Sequence, residues 1–128
     1  MATRVVIAED EAIIRLDLKE TLEEEGYEVV GETGRGDEAV DLVKELEPDI
    51  AILDIKMPGM DGLEVLQEIR KTGSKADVIM VTAYGEVESY LKAMSLGAAE
   101  YINKPIRIKE LKRIVHKVLS ERKARPGV

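Results

Sequence analysis

Five short apolar runs alternate with five segments of helical periodicity along this chain of 128 residues. The runs are rich in β-branched residues and are bounded by polar residues or glycine, which indicates β-strands. Four of the five lack strict alternation of apolar and polar residues, as expected when helices cover both faces of a parallel sheet. The predicted strands are Val5–Ala8, Glu28–Gly31, Ile50–Leu53, Val78–Val81 and Tyr101–Ile102.

The segments between these runs carry apolar residues at the spacing of helical turns. Glycine follows three of the stripes, at Gly26, Gly73 and Gly97, where a left-handed residue commonly ends a helix. Asp61, with Glu64 three residues later, has the pattern of a capping box. Regular alternation of strands and helices predicts a doubly wound α/β sheet with right-handed crossovers. The stripes are Ile14, Leu18 and Leu22; Ala39, Leu42, Val43 and Leu46; Leu63, Leu66 and Ile69; Val87, Leu91 and Met94; and Leu111, Ile114, Val115, Val118 and Leu119.

The composition excludes several classes of protein. With 45% hydrophobic and 35% charged residues the chain is globular in composition, and its length suits one domain, predicted as residues 1–121 with a short basic tail at 122–128. The absence of cysteine excludes disulfides and thiolate chemistry. Because no apolar run reaches membrane-spanning length and no signal peptide is evident, we predict a cytoplasmic location without membrane contact.

The charge is unevenly distributed. The net charge is −7, yet residues 103–128 hold nine Lys or Arg against two Glu. The acidic total argues against nucleic-acid binding, and the lack of Phe and Trp argues against a stacking platform for single strands. The basic end is interpreted as solvated cations near a helix C-terminus, with a docking surface for an acidic partner as the alternative.

Chemically capable side chains follow four of the predicted strands. Glu9 and Asp10 come after the first strand, Asp54 after the third, Thr82 after the fourth and Lys104 after the fifth. Since ligands of open parallel sheets bind at the carboxyl ends of the strands, we expect these side chains to share one crevice. An all-oxygen ligand set without His or Cys suits Mg²⁺ better than zinc.

This set of residues suits phosphoryl transfer. An ionised Asp54 can act as a nucleophile and form an acyl phosphate. Lys104 would neutralise phosphoryl oxygens, and Thr82 would donate a hydrogen bond to one of them. Positioning and electrostatic stabilisation are most of what such a reaction requires of a protein.

Four motifs in order carry a family resemblance: the acidic pair Glu9–Asp10, the run LDIKMPGMDG at Leu53–Gly62, the run VTAYGE at Val81–Glu86 and the triplet NKP at Asn103–Pro105. Together they resemble the receiver domain of two-component response regulators, the CheY-like superfamily. The resemblance covers nearly the whole chain. It implies a (βα)5 sandwich whose five-stranded parallel sheet has the flavodoxin-like order 2-1-3-4-5.

Two subfamilies are represented in the motifs. Lys56, the segment Thr82–Gly85 and Lys104 are most similar to single-domain phosphorelay regulators of the sporulation type. The run AEDEAIIRLDL at Ala8–Leu18 is closer to receivers that are attached to RNA-binding antiterminator domains. The chain therefore either stands alone or is a receiver excised from a larger transcriptional or antiterminator regulator.

The resemblance implies a role for each site residue. Asp54 would be the phosphoacceptor, and Mg²⁺, for which Mn²⁺ could substitute, would be held by Glu9, Asp10, Asp54 and the backbone carbonyl of Lys56. Lys104 would contact the phosphoryl group. Glu9 stands where the family more commonly has Asp, and its extra methylene is expected to shift its metal contact or to place a water between them.

The resemblance also implies a conformational switch. Thr82 would move toward the phosphoryl group, and Tyr101 would turn inward to fill the space left behind. This change would remodel the surface of the fourth helix, fifth strand and fifth helix, where a downstream protein could bind. The peptide bond from Lys104 to Pro105 is expected to be cis.

The expected partner is a sensor histidine kinase or a histidine phosphotransfer protein that donates from a phosphohistidine. We expect it to dock on an apolar rim formed by Ile14, Met57, Pro105 and Ile106. The domain would be a monomer or a dimer promoted by phosphorylation. It would catalyse only its own phosphorylation and slow autodephosphorylation.

Lys56 and Tyr84 each lie two residues past a site residue. The hypothesis is that they hinder the water that hydrolyses the acyl phosphate, which would give a long-lived phosphoryl group; the alternative is that both are surface or partner-contact residues. Gly34-Arg35-Gly36 lacks the rest of a dinucleotide fingerprint and is interpreted as a turn.

Two other functions are less compatible with the sequence. A phosphatase with an aspartyl nucleophile usually has a second Asp two residues later, where this chain has Lys56. A flavin-binding electron carrier would need a Ser/Thr/Gly-rich loop after the first strand and aromatic residues against the flavin. This chain has Glu-Asp-Glu in that loop and neither Phe nor Trp.

Overall fold

The computed structural model describes residues 2–83 and 87–125. Strands and helices alternate along this part of the chain as predicted, five of each. In chain order the elements are β1 (Arg4–Ala8), α1 (Ala12–Glu24), β2 (Glu28–Thr33), α2 (Gly36–Leu46), β3 (Ile50–Asp54), α3 (Gly62–Lys71), β4 (Asp77–Thr82), α4 (Val87–Ser95), β5 (Glu100–Asn103) and α5 (Ile108–Ala124).

The strands form one parallel sheet in the order β2-β1-β3-β4-β5. This confirms the predicted flavodoxin-like order. Asp54 pairs with Val81 at the end of β3, and Thr82 pairs with Asn103 at the end of β4. The carboxyl ends of these strands therefore meet at one edge of the sheet, where the candidate site residues follow them.

Helices cover both faces of the sheet, and each face has its own apolar core. β3 and β4 are buried along their whole lengths, which explains why their sequences do not alternate. Residues of α2, α3 and α4 pack on one face, and residues of α1 and α5 pack on the other. The largest strand side chains of the second core are Ile7, Ile50, Ile52, Ile79 and Ile102.

Most of the predicted helix ends are confirmed. Gly26, Gly73 and Gly97 all have positive φ angles of 81° to 93°, a conformation that glycine adopts without strain. Asp61 accepts a hydrogen bond from the Glu64 amide, and the Glu64 side chain accepts one from the Asp61 amide, so the capping box is present.

The apolar stripe that predicted α4 does not face the sheet. Val87, Leu91 and Met94 are 70%, 59% and 37% exposed, and Ala93 is the residue of α4 that is buried. The helix was therefore predicted correctly from residues that its packing leaves at the surface. Small Ala93 lets α4 approach the sheet closely, while the larger residues point away.

A short basic tail is predicted at residues 122–128, of which the structure describes residues 122–125, and this described part is not loose. Helix α5 continues to Ala124, beyond the predicted domain boundary. Arg122 and Arg125 both donate hydrogen bonds to the buried carboxylate of Asp77, at 2.9 and 2.6 Å. These contacts hold the end of α5 against the amino end of β4.

Within residues 2–83 and 87–125, none of the helices combines the length and the apolar character needed to cross a lipid bilayer.

Candidate functional site

Three carboxylates converge at the carboxyl end of the sheet. Asp54 is the last residue of β3, and Glu9 and Asp10 follow β1, its neighbour in the sheet. One carboxylate oxygen from each lies within 4.8 Å of the others. Glu9 and Asp54 are only 1% and 4% exposed, whereas Asp10 is exposed. The sheet therefore brings two buried acids and one accessible acid to the same point.

Lys104 lies opposite these acids. Its Nζ is 2.9 Å from Oε1 of Glu9, 3.1 Å from Oδ2 of Asp54 and 3.2 Å from Oε1 of Glu11. Oε1 of Glu9 makes no aligned hydrogen bond, so its contact with Lys104 is an ion pair of poor hydrogen-bond geometry. A single ammonium group thus neutralises more than one buried carboxylate.

Burial and the excess of carboxylates over cations shift the pKa values of these groups. Burial raises the pKa of Glu9 from 4.5 to about 7, although the contact with Lys104 and the Glu11 amide oppose the rise. Burial also raises the pKa of Asp54, against the hydrogen bonds from Glu9 and Lys104. Burial lowers the pKa of Lys104, but its contacts with Glu9 and Asp54 outweigh that effect and raise it above its usual range.

The side chains present fit a hard divalent cation. The donor set consists of carboxylate oxygens, which Mg²⁺ prefers, and no His or Cys lies in the cluster. Glu9 has a buried oxygen without an aligned hydrogen bond, and Asp10 is open to solvent. The partial neutralisation by Lys104 leaves negative charge for a cation to compensate.

Backbone hydrogen bonds connect the strand ends around the site. The Lys104 amide donates to the Thr82 carbonyl at 2.6 Å, and the Ile55 amide donates to the Val81 carbonyl at 3.0 Å. Thr82 is buried at the end of β4, and the bond from Lys104 to Pro105 is cis, as predicted. Thr82 and Lys104 are therefore held in fixed register beside Asp54.

Tyr101 lies on the α4 side of the sheet. It is half-buried, packs against the core of that face and meets Tyr90 of α4 edge-on, with ring centroids 5.4 Å apart. This contact links β5 to α4. Sequence reasoning singled out Tyr101 but missed Tyr90, which lies at helical spacing from Val87 and Met94 of the predicted stripe, and that spacing was the signal that could have found it.

Two glycines let loops approach the site closely. A Cβ on Gly62 would overlap the Asp54 carbonyl oxygen, and the Gly62 amide donates to the Ile55 carbonyl at 2.7 Å. A Cβ on Gly36 would overlap the Met60 carbonyl, and the Gly36 amide donates to the Pro58 carbonyl at 3.1 Å. Gly36, the last residue of the segment interpreted as a turn after β2, thus also supports the loop that follows Asp54.

The predicted docking residues divide between two places. Ile14, Pro105 and Ile106 line one cleft of about 510 Å³ between α1 and the start of α5, which Lys104 also reaches. Met57 does not line this cleft and packs against the core on the α2–α4 side. Exposed Ile13 and Leu16 on α1 were not predicted, because both lie off the stripe of that helix. Exposed Ile108 on α5 was missed although it lies three residues before Leu111, at the spacing of the predicted stripe.

Only one of the two residues assigned to dephosphorylation control lies in the described part of the chain. Lys56 is exposed in the loop after Asp54. Tyr84 lies outside the described residues. The hypothesis that both shield the acyl phosphate stays a prediction.

Comparison with known proteins decides the family. The model of the response regulator receiver domain matches residues 5–116. The chain belongs to the response regulator receiver family. Receiver domains are signalling domains of two-component systems, and as a family they interact with histidine kinases or phosphotransfer proteins.

Relatives of this receiver domain include full regulators and single-domain proteins. Transcriptional regulatory protein PdtaR of Mycobacterium tuberculosis is 46% identical over 108 residues, which are 84% of this chain and 52% of PdtaR. The chain thus spans about half the length of that relative. Sporulation initiation phosphotransferase F of Bacillus subtilis is 36% identical over 119 residues, 93% of this chain and 95% of the relative.

The fold also matches solved receiver structures. In the crystal structure of the CheX–CheY–BeF3–Mg²⁺ complex from Borrelia burgdorferi, the matched chain gives a TM-score of 0.88 at 30% identity. The match covers 91% of this chain and 89% of that one.

Proposed function

We propose that this receiver domain accepts a phosphoryl group on Asp54 from a phosphohistidine donor, in a reaction that depends on Mg²⁺. The observation that carries the proposal is the convergence of Glu9, Asp10 and Asp54 opposite Lys104. If Glu9 and Asp54 only stabilised the fold, each would be expected to have its own cation. Instead, these two buried acids share one ammonium group.

Each side chain has a defined part in the reaction. Asp54 would attack phosphorus through a carboxylate oxygen; the new oxygen–phosphorus bond forms as the phosphorus–nitrogen bond to the donor imidazole breaks, and the imidazole leaves with the electron pair. Lys104 would stabilise negative charge on the phosphoryl oxygens, and the Thr82 hydroxyl would donate to one of them.

Glu9, Asp10, Asp54 and the backbone carbonyl of Lys56 would hold the metal ion. When bound, Mg²⁺, or Mn²⁺ in its place, supplies positive charge to the phosphoryl oxygens and relieves repulsion among the carboxylates. The relative crystallised with BeF3 and Mg²⁺ supports this choice of ion. The name of the sporulation phosphotransferase supports transfer of a phosphoryl group by a chain of similar length.

The switch is part of the same proposal. Movement of Thr82 toward the phosphoryl group would open space on the α4 side, and Tyr101 would rotate into it. The edge-on contact of Tyr101 with Tyr90 supports the coupling, because rotation of Tyr101 must change the packing of α4. NMR signals of the two rings should shift when beryllofluoride and Mg²⁺ are added; unchanged signals would reject the switch.

Two surfaces suit the expected partners. The cleft lined by Ile14, Pro105 and Ile106 lies beside Lys104 and suits the phosphohistidine donor. The exposed stripe of α4, together with β5 and α5, suits a downstream protein or a second receiver domain in a phosphorylation-promoted dimer. A cytoplasmic location stays an expectation from the sequence, as does the single-domain or excised state of the chain.

Dephosphorylation control by Lys56 and Tyr84 has its own test. If the two side chains obstruct the attacking water, the double variant Lys56→Asn, Tyr84→Glu should lose its phosphoryl group faster than the wild type. Equal lifetimes of the phosphorylated proteins would reject the hypothesis.

The decisive experiment for the proposal is phosphorylation with a small donor. The protein is incubated with acetyl phosphate and Mg²⁺, and its intact mass is recorded beside that of Asp54→Asn. We expect one added phosphoryl group that requires the metal and is absent from the variant. Absence of an adduct on the wild type, or an equal adduct on Asp54→Asn, would overturn the proposal.

A further inference from the structure

Three carboxylates surround an ammonium group that has three N–H donors. Oxygens of Glu9, Asp54 and Glu11 lie within 3.2 Å of Lys104 Nζ. Glu11 and Asp54 accept hydrogen bonds from Lys104, and Glu9 adds an ion pair, so a phosphoryl oxygen that approaches Lys104 competes with carboxylates already in contact with it.

Glu11 is the carboxylate that can leave at the lowest cost. Its side chain is 61% exposed, whereas those of Glu9 and Asp54 are 1% and 5% exposed. Water can hydrate Glu11 once it separates from Lys104, whereas Glu9 and Asp54 are buried and need Lys104 or the proposed metal ion to compensate their charge. The contact between Glu11 and Lys104 is thus the exchangeable one.

The position of Glu11 in the helix gives it no competing role. It is the N-cap residue of α1, yet its side chain makes no capping hydrogen bond. The N-cap position favours Ser, Thr, Asp or Asn, whose shorter side chains reach the first-turn amides. The Glu11 amide instead donates to Oε2 of Glu9 at 3.0 Å, so both ends of the residue are directed into the site.

We propose that Glu11 is a positioning residue that competes with the incoming phosphoryl group for Lys104 and thereby slows phosphorylation of Asp54. This inference rests on the proposed function. The side chain holds Lys104 in the resting domain and repels a dianionic donor. Phosphorylation would then favour a bound protein donor, which can supply its own cations to Glu11, over small free phosphodonors.

The test compares Glu11→Gln with Glu23→Gln, which removes the same charge from an exposed position farther along α1. In the reaction with acetyl phosphate, the oxygen of Asp54 bonds to phosphorus while acetate leaves with the electron pair of the broken phosphorus–oxygen bond. We expect Glu11→Gln to react about two- to fivefold faster than the wild type, the range that a partly exposed ion pair can supply. Glu23→Gln should react at the wild-type rate.

Ionic strength separates this role from a structural one. Added salt screens the exposed Glu11, so the rate ratio of Glu11→Gln to wild type should fall toward one as salt increases. A substitution that merely rearranged the loop would keep its ratio in salt. Equal rates for wild type and Glu11→Gln at low salt, or the same gain in Glu23→Gln, would overturn the inference.

A measurement without metal or donor tests the contact itself. Glu11→Gln should lower the thermal unfolding midpoint in the wild-type background but not in a Lys104→Gln background, because the interaction is then already lost. Equal changes in both backgrounds would overturn the inference. If the wild type takes up no phosphoryl group at all, the proposed function fails. The double-mutant cycle of Glu11 and Lys104 still measures their interaction in that case.

Discussion

Each end of the sheet buries an aspartate, and the two aspartates differ in the number of cations that contact them. Asp54, 4% exposed, ends β3 at the carboxyl edge, and Asp77, 6% exposed, begins β4 at the amino edge. Asp77 accepts hydrogen bonds from two guanidinium groups, those of Arg122 and Arg125. Asp54 instead shares one lysine with other carboxylates.

The surroundings extend the contrast. Near Asp77, a cleft of about 550 Å³ is lined by Arg70, Lys75, Arg122 and Arg125, so cations outnumber the acid. Near Asp54, acids outnumber the cation. A buried carboxylate with a full set of partners contributes to holding the fold, whereas one with too few remains available for a metal ion and a phosphoryl group.

The largest expected effect is at the amino edge. Asp77→Asn should lower the free energy of unfolding by about 2 to 4 kcal/mol, because it breaks a buried ion pair and releases the end of α5. Urea unfolding measures this loss, with exposed Asp41→Asn as the matched control. Phosphorylation at Asp54 should persist in the folded fraction of the variant. A loss no larger than that of the control would show that Asp77 does not stabilise the fold as this comparison requires.

A smaller effect is expected from pH, and it arises at the carboxyl edge. Glu9 has a pKa of about 7 in the folded, metal-free protein against 4.5 for the ordinary side chain. Between these values the folded state keeps a proton that the unfolded state releases, so stability falls as pH rises from about 4.5 to about 7 and then levels off. The slope for one proton is at most about 1.4 kcal/mol per pH unit.

Urea unfolding of the metal-free protein across that pH range checks this slope. Glu9→Gln removes the titrating carboxyl and should flatten the dependence, although the raised pKa of Asp54 leaves a residual slope of the same sign. Stability that rises with pH in the wild type, or an unchanged slope in Glu9→Gln, would contradict the raised pKa of Glu9.

Local signals in the sequence were sufficient for the fold. The glycines after three helices, the capping box at Asp61 and the buried strands all follow from short-range chemistry, and the structure confirms them. The residues at the strand ends were predicted for the same reason, because a parallel sheet brings the carboxyl ends of its strands to one edge.

Features that depend on packing between distant segments were not predictable in this way. The stripe of α4 faces solvent because Ala93, not the larger residues, fits against the sheet. The extension of α5 past the predicted boundary was missed because the sequence does not show that Arg122 pairs with Asp77, 45 residues earlier in the chain. Glu11 was overlooked since only its contact with Lys104, 93 residues away, gives it significance.

Asp54 shares one lysine with other carboxylates, and on the proposed function its burial costs stability that a bound metal ion would offset. The most direct test is urea unfolding of the wild type, Asp54→Asn and Asp77→Asn, each with and without Mg²⁺. Without metal, Asp54→Asn should be more stable than the wild type by about 1 kcal/mol, because one buried like charge is removed. Mg²⁺ should stabilise the wild type and Asp77→Asn alike, and Asp54→Asn less. An Asp54→Asn protein that is less stable than the wild type without Mg²⁺, or that gains as much from it, would contradict the account.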